Sequence, residues 1–205
     1  MLFTIRRTVR VTNNIYLIVG ESGSGKTSIC DYLSEHYELK QVESYTTRPP
    51  RHPNEKGHIF VSESEFDKLR DDMVAYTKFD RYEYCATSEQ VDNSDLYTID
   101  PRGVKEFMEL YKGEKSPKII FIDTSLNIRF ERMVSRADED GFEHADSVDM
   151  ALDRIVNDVE AFYEMRHNNM KQADIVITND DTVKSSAEKV YAYIQGAEAD
   201  VLAGE

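Results

Sequence analysis

Gly20-Glu21-Ser22-Gly23-Ser24-Gly25-Lys26-Thr27 follows the apolar run Ile15-Tyr16-Leu17-Ile18-Val19 and opens a segment with helical spacing. It is a complete G-x-x-x-x-G-K-[ST] phosphate loop set between a strand and a helix, which argues against a chance glycine turn. The small residues at Gly20, Gly23 and Gly25 let the backbone curl so that several N–H groups point at a polyphosphate. The positive end of the following helix adds to that attraction. The pattern assigns Glu21, Ser22, Ser24 and Ser28, with the three glycines, to a nucleoside triphosphate site. Lys26 then reaches the β/γ-phosphates and the Thr27 hydroxyl is placed to ligate Mg²⁺.

Outward from this loop, the composition sets bounds. A chain of 205 residues accommodates one α/β core with small inserted lobes and is too short for two ordinary enzyme domains. Lys+Arg 25 against Asp+Glu 39 gives a net charge of −14, which argues against a nucleic-acid or anionic-membrane partner. Positive charge, where it occurs, should be local and purposeful. Cys30 and Cys85 have no metal-ligand spacing and imply free thiols in a reducing compartment. The sequence has no apolar run of bilayer-spanning length, and its start lacks a signal-peptide hydrophobic region, so a cytoplasmic location is expected.

Along the chain, residues 1–13 carry Arg6, Arg7 and Arg10 and read as a solvated lead-in. A strand is expected at about 14–19, a helix through about 37 on Ile29, Tyr32, Leu33 and Tyr37, and a second strand at Leu39–Val42. From Ser44 to about Thr87 the texture changes to threonines, tyrosines, prolines and short β-like runs at Met73–Phe79 and Tyr82–Ala86, with a helical piece near Glu63–Arg70. This stretch reads as an inserted lobe. Alternation resumes with a strand at Asp95–Ile99, a helix from Pro101 to about Tyr111, a strand at Lys118–Asp123 and a helix at Ser125–Arg136. Residues 137–146 lack periodicity and are expected to form a mobile connection, followed by a long helix from about Ser147 to Met170. A strand at Ala173–Thr178 and a helix at Val183–Ile194 close the core, before a tail from Gly196 that is expected to fray. Five strands alternating with helices predict a parallel sheet covered on both faces, with ligands at the carboxyl ends of its strands.

Ser44-Tyr-Thr-Thr-Arg-Pro-Pro-Arg51 resembles the S-x-T-T-R-x-P-R segment of the guanylate kinase family. The likeness continues through Gly57, Phe60-Val-Ser62, Glu65-Phe66, Asp100-Pro-Arg-Gly-Val104, the series Arg132, Arg136, Asp146-Ser147 and Arg154, and Asn179-Asp180-Asp181. It covers about residues 14–194. The resemblance implies a P-loop NTPase three-layer α/β fold with a central parallel sheet, an inserted acceptor-binding lobe and a helical lid. It divides a single domain into a core at about 12–43, 88–136 and 156–195, a lobe at about 44–87, a lid at about 137–155 and the tail 196–205. The implied reaction moves the γ-phosphoryl group of ATP, with Mg²⁺, to GMP or dGMP.

By the same resemblance, Arg48 and Arg51, three apart on a proline-stiffened loop, grip the acceptor phosphate. Tyr84 supplies one phosphate-binding hydroxyl, and His58 stands where the family has the other. Arg132, Arg136 and Arg154 close over the triphosphate with Lys26, and Asn179 falls in the ATP site. Asp100 could hold Mg²⁺ through water or contact the base, with Asp123 as its rival for the metal and helix or strand capping as the plain reading of both. A phosphate acceptor is already an anion near neutral pH, so a strong general base is not required.

The sequence departs from the family in base recognition. The family's base-reading glutamate falls on Ala75, and its O6-donating hydroxyl residue falls on Ala86, beside Cys85. Ser44 remains as an O6 donor and Asp100 as a partner for the amine, while Asp80 or Glu83 could take over from a shifted strand. Other readings are a kinase for another nucleotide or a phosphorylated sugar, and a non-catalytic binding module, against which the intact Lys26 and Thr27 count.

Overall fold

The computed structural model describes residues 13–50, 53, 55, 57–79, 81–168 and 170–196. Arg51, Asp80, the arm through residue 12 and the tail from 197 lie outside the described residues. Strand β1 (Asn14–Val19) is buried from Ile15 onward, and the phosphate loop after it leads into helix α1 (Lys26–Tyr37). The inserted segment holds β2 (Ser44–Thr46), β3 (His58–Phe60), α2 (Glu63–Asp67), β4 (Met73–Phe79) and β5 (Tyr82–Thr87). Then follow α3 (Ser88–Asp92), β6 (Leu96–Thr98), α4 (Pro101–Leu110), β7 (Ser116–Asp123) and α5 (Leu126–Glu139). The chain finishes with α6 (His144–Ala161), α7 (Tyr163–His167), β8 (Ile175–Thr178) and α8 (Val183–Ile194).

One sheet is wholly parallel, in the order β6-β1-β7-β8. A strand covered on both faces must be apolar at successive positions, which is why Ile15–Val19 shows no alternation. Ile15, Leu17, Val19, Ile119 and Phe121 face α4 and α7 through Val104, Phe107, Tyr111 and Met165. Tyr16, Ile18, Ile120, Ile122 and Ile177 face α1 and α8 through Ile29, Leu33, Ala187, Val190 and Ile194. The result is a three-layer α/β/α core. The second sheet, in the order β3-β2-β5-β4, pairs β2 with β3 in parallel and the rest antiparallel. Val74, Ala75 and Ala86 join this sheet to the main core, and the Glu106 carboxylate on α4 accepts the Tyr76 N–H at 2.9 Å.

Three expectations are corrected. Leu39–Val42 forms no strand: its pairing is a single parallel bridge between Gln41 and Leu96, so the regular sheet has four strands. Residues 137–146 are mostly helical, because α5 continues to Glu139, Gly141 turns the chain at φ 92° and α6 begins at His144. The long helix is broken at Phe162, whose side chain is buried against Phe121, and α7 restarts one residue later. Among the described residues no helix is long and apolar enough to cross a membrane.

Helix α4 carries the carboxyl end of β6 into the rest of the core through Phe107, which is fully buried between the rings of Tyr97 and Tyr111. Phe107→Ala leaves a ring-sized void there and is expected to lower the unfolding free energy by about 3–5 kcal/mol. A urea titration reads this as a lower midpoint at unchanged slope.

Candidate active site

Ile18 lies opposite Thr98, and Val19 opposite Phe121. The phosphate loop therefore leaves the sheet at its carboxyl edge, between Ile99-Asp100 and Ile122-Asp123. Two of its glycines are enforced by both backbone and space. Gly23 has φ 74° and a Cβ there would lie 2.6 Å from the Arg129 carbonyl oxygen; Gly25, at φ 90°, caps α1 and a Cβ would run into the Asn179 amide. Gly20 sits against Ile122. Lys26 Nζ donates to the carbonyl oxygens of Gly20 and Glu21 at 2.6 and 3.0 Å. Burial pushes this ammonium down to about 8, with Asp158 the foremost charge acting the other way. Thr27 and Ser28 are exposed on the first turn of α1.

Behind the loop lies a buried set of charges. Arg129 Nη1 reaches Asp158 Oδ2 at 3.2 Å and Glu21 Oε2 at 3.4 Å, and all three side chains are nearly inaccessible. Arg166 pairs with the same Glu21 oxygen and with Asp123 Oδ1 at 2.8 Å. Asp158 also accepts from Ser22, through the backbone N–H at 2.7 Å and the hydroxyl at 3.1 Å. Glu21 and Ser22 thus turn their side chains into this cluster. Asp123 is tied to Arg166.

Of the three arginines named from the sequence, Arg132 contacts the loop and the other two lie between α5 and α6. Arg132 donates to the carbonyl oxygens of Gly23 and Asn179 at 3.5 and 3.0 Å. Arg136 and Arg154 are exposed and border one small cavity between α5 and α6 with Met133 and Phe142. Asn179 is fully buried, and its amide donates to the Ser24 carbonyl oxygen at 2.7 Å, so its side chain clamps the loop from below.

On the lobe, Ser44, His58, Tyr84 and Asp100 come together around a cavity of about 180 Å³ whose wall includes Ala75, Cys85, Tyr97 and Thr98. Its one lining carboxylate among the described residues is Asp100, whose Oδ1 accepts the Gly103 N–H at 2.7 Å and caps α4. The Cys85 thiol is pushed up to about 12 by burial, and burial likewise raises the Tyr97 phenol, against a hydrogen bond to Ser44. Glu83 points elsewhere, pairing with Arg70 at 3.2 Å and accepting from the Tyr76 hydroxyl at 2.8 Å. Arg48 is buried and forked on Glu55, Nη2 to Oε1 at 2.7 Å and Nη1 to Oε2 at 3.2 Å. That carboxylate, with a smaller contribution from Tyr84, holds the guanidinium above its ordinary pKa.

Sequence reasoning missed Arg129, Asp158, Arg166 and Glu55. Arg129 had a signal, since 129, 132 and 136 follow one face of α5. Asp158 follows Arg154 by one helical turn. Arg166 and Glu55 had none, because their partners are distant or held by loop geometry.

A family model described as guanylate kinase matches residues 12–197. Curated guanylate kinases of Legionella pneumophila (strain Lens) and Hydrogenovibrio crunogenus are 24% and 27% identical to this chain, covering 86% and 88% of it and 83% and 88% of their own lengths. The crystal structure of guanylate kinase from Anaplasma phagocytophilum aligns with a TM-score of 0.56 and 18% identity, covering 95% of this chain and 90% of that one. This last likeness is one of fold.

A lysine depressed by burial penalises the folded state while it is charged. The unfolded chain binds more protons than the folded one between about 8 and the ordinary lysine value, so the penalty is full below about 8 and lifts as pH rises through that window. Lys26→Met is accordingly expected to stabilise the ligand-free protein most below pH 8, with its advantage shrinking toward pH 10. Urea unfolding of both proteins across that range checks the sign.

Proposed function

The chain belongs to the guanylate kinase family, and from that premise we propose that it transfers the γ-phosphoryl group of ATP to GMP or dGMP, yielding ADP and the nucleoside diphosphate. The observation that carries this reading is the placement of the phosphate loop and the lobe cavity at the ends of adjacent strands. β1 delivers the phosphate loop and β6 delivers Asp100 at the rim of the lobe cavity, and the two strands are paired in register. Neighbouring strands lie about 4.8 Å apart, so donor and acceptor sites share one edge of the sheet.

Each cation then has a task set by its present partners. Lys26 and Arg132 rest on carbonyl oxygens, which are neutral, and a phosphate oxygen outcompetes them through charge-assisted hydrogen bonds. Arg48 rests in a carboxylate fork, so the acceptor phosphate exchanges with Glu55 for a bidentate site already formed. Arg136 and Arg154 line one cavity between α5 and α6 and, on this reading, supply charge where it builds on the transferring group. Closure of the lobe at about 44–87 and the lid at about 137–155 excludes water during in-line transfer.

Among the described residues no cluster of three or more His, Cys, Asp or Glu side chains could cage a metal. The exposed Thr27 hydroxyl suits instead a Mg²⁺ that keeps waters and is held chiefly by the triphosphate. That ion neutralises charge on the β- and γ-phosphate oxygens when bound. Asp100, with Asp123 as its rival, would hold it through water.

The apolar side chains Ala75 and Ala86, beside Cys85, favour a second reading in which the acceptor carries another base. Incubation with ATP·Mg and each of GMP, dGMP, AMP, dAMP, CMP, UMP and dTMP decides between them, and turnover confined to the first two is expected. Lys26→Ala is expected to lower turnover by a factor on the order of 10³. Arg48→Ala is expected to raise the acceptor KM by roughly 10²-fold through loss of a bidentate charged contact. Wild-type rates in both variants refute the proposal.

A further inference from the structure

The second variable position of the phosphate loop, Ser22, is gripped by a side chain 136 residues away. Asp158, in the C-terminal half of α6 and 8% exposed, accepts the Ser22 N–H on Oδ2 at 2.7 Å and the Ser22 hydroxyl on Oδ1 at 3.1 Å. Oδ2 also takes Arg129 Nη1 at 3.2 Å. The same arginine holds Glu21, the neighbouring loop residue, at 3.4 Å. Two successive loop residues are therefore fixed by one buried cluster, and α6 is part of it.

Arg154 precedes Asp158 by four residues on that helix. Four residues turn a helix by about 40° beyond a full circle and advance it about 6 Å, so the two side chains share a face one turn apart. A helix is stiff over one turn. Wherever Asp158 is fastened, the position of Arg154 relative to the loop follows.

We propose that Asp158 is a positioning residue for phosphoryl transfer: its two hydrogen bonds to Ser22 fasten α6 to the phosphate loop and set Arg154 at a fixed distance from Lys26. This rests on the kinase reading above. It differs from a role in which Asp158 only neutralises the buried Arg129, and side-chain chemistry separates the two. Asparagine keeps the shape: its oxygen accepts the Ser22 N–H and Arg129, and its NH₂ donates to the Ser22 hydroxyl. Glutamate keeps the charge and carries it one methylene too far.

The experiment compares wild type with Asp158→Asn, Asp158→Glu and Asp158→Ala, measuring kcat and KM for ATP·Mg and GMP, with thermal melting to confirm folding. Anchoring predicts that the Asn variant keeps kcat within about threefold, while the Glu and Ala variants lose roughly 30–100-fold, as expected for a displacement of about 1 Å at a catalytic group. The GMP KM should stay within about twofold of wild type, because the acceptor grip on Arg48 is elsewhere. An Asn-to-Glu ratio in kcat above about ten upholds the proposal, and a smaller or inverted ratio overturns it. Should the Ala variant fail to fold, the other two decide alone. If wild type itself turns over no nucleotide, the kinase reading fails separately; the anchor is then read from ADP·Mg affinity by calorimetry, where the same ordering upholds it and equal affinities overturn it.

Discussion

Three cations and three anions meet behind the phosphate loop: Lys26, Arg129, Glu21 and Asp158 in the interior, with Arg166 and Asp123 at its edge, 35% and 33% exposed. Removing the buried ones from water costs several kcal/mol, and the cost is recovered only if each buried carboxylate finds a partner in good geometry. Those partners come from β7, α5, α6, α7 and the loop itself. Charge balance thus fixes how five segments sit together, and the loop takes its shape inside that frame. The cations divide by what holds them. Arg129 and Arg166 are bonded to carboxylates, whereas Lys26 and Arg132 are bonded to carbonyl oxygens, which on the proposed reading a phosphate replaces. A site for a polyanion needs both kinds, one to hold the backbone in place and one to yield to the ligand.

What could be read from the sequence was what local periodicity and end signals encode. The phosphate loop is a contiguous motif with a strand before it and a helix after it. The boundaries of α4 and α8 follow from Asp100 with Pro101 and from Thr182, whose side chains accept hydrogen bonds at the first turns. The lid region was unreadable for the opposite reason. Asp138, Glu139 and His144 face solvent, so the facing ends of α5 and α6 lack the apolar stripe that the rest of both helices carries. Leu39–Val42 had the composition of a strand, but Val42 and the Lys40 carbonyl bond to the β6 edge at single points and leave one bridge. Pairings such as Glu21 with Arg166, or Ser22 with Asp158, span more than a hundred residues and leave no local trace.

The acceptor side was partly legible. The resemblance placed Ser44, His58, Tyr84 and Asp100 in one site, and the cavity gathers all four. The plain reading of Asp100 as a cap holds at α4, but the sequence did not show that Glu83 would be turned to Arg70 or that Tyr97 and Cys85 would form the wall. Which side chains of β4 and β5 face the cavity depends on the register between them, which shifts between Met73 and Ala75, and a one-residue shift exchanges the two faces of a strand.

On the proposed reading, phosphate and base are recognised by different means at this site. The Arg48 fork is held ready by a carboxylate of the chain itself, so its desolvation and orientation are settled before the acceptor arrives. Binding a phosphate there exchanges one charge-assisted pair for another, and the net gain is the difference between a phosphate and Glu55 rather than the whole of the new contact. Around the base, Ala75 and Cys85 offer little polarity, and Asp100 has one oxygen already engaged. Discrimination between bases comes from polar groups left unpaired in the wrong complex, and the groups of the cavity wall that could act so include those of Ser44, His58, Tyr84, Tyr97 and Asp100. On the proposed reading, selectivity rests on the shape of the cavity and on which of these groups a base can pair, the hydroxyls of Ser44 and Tyr97 among them.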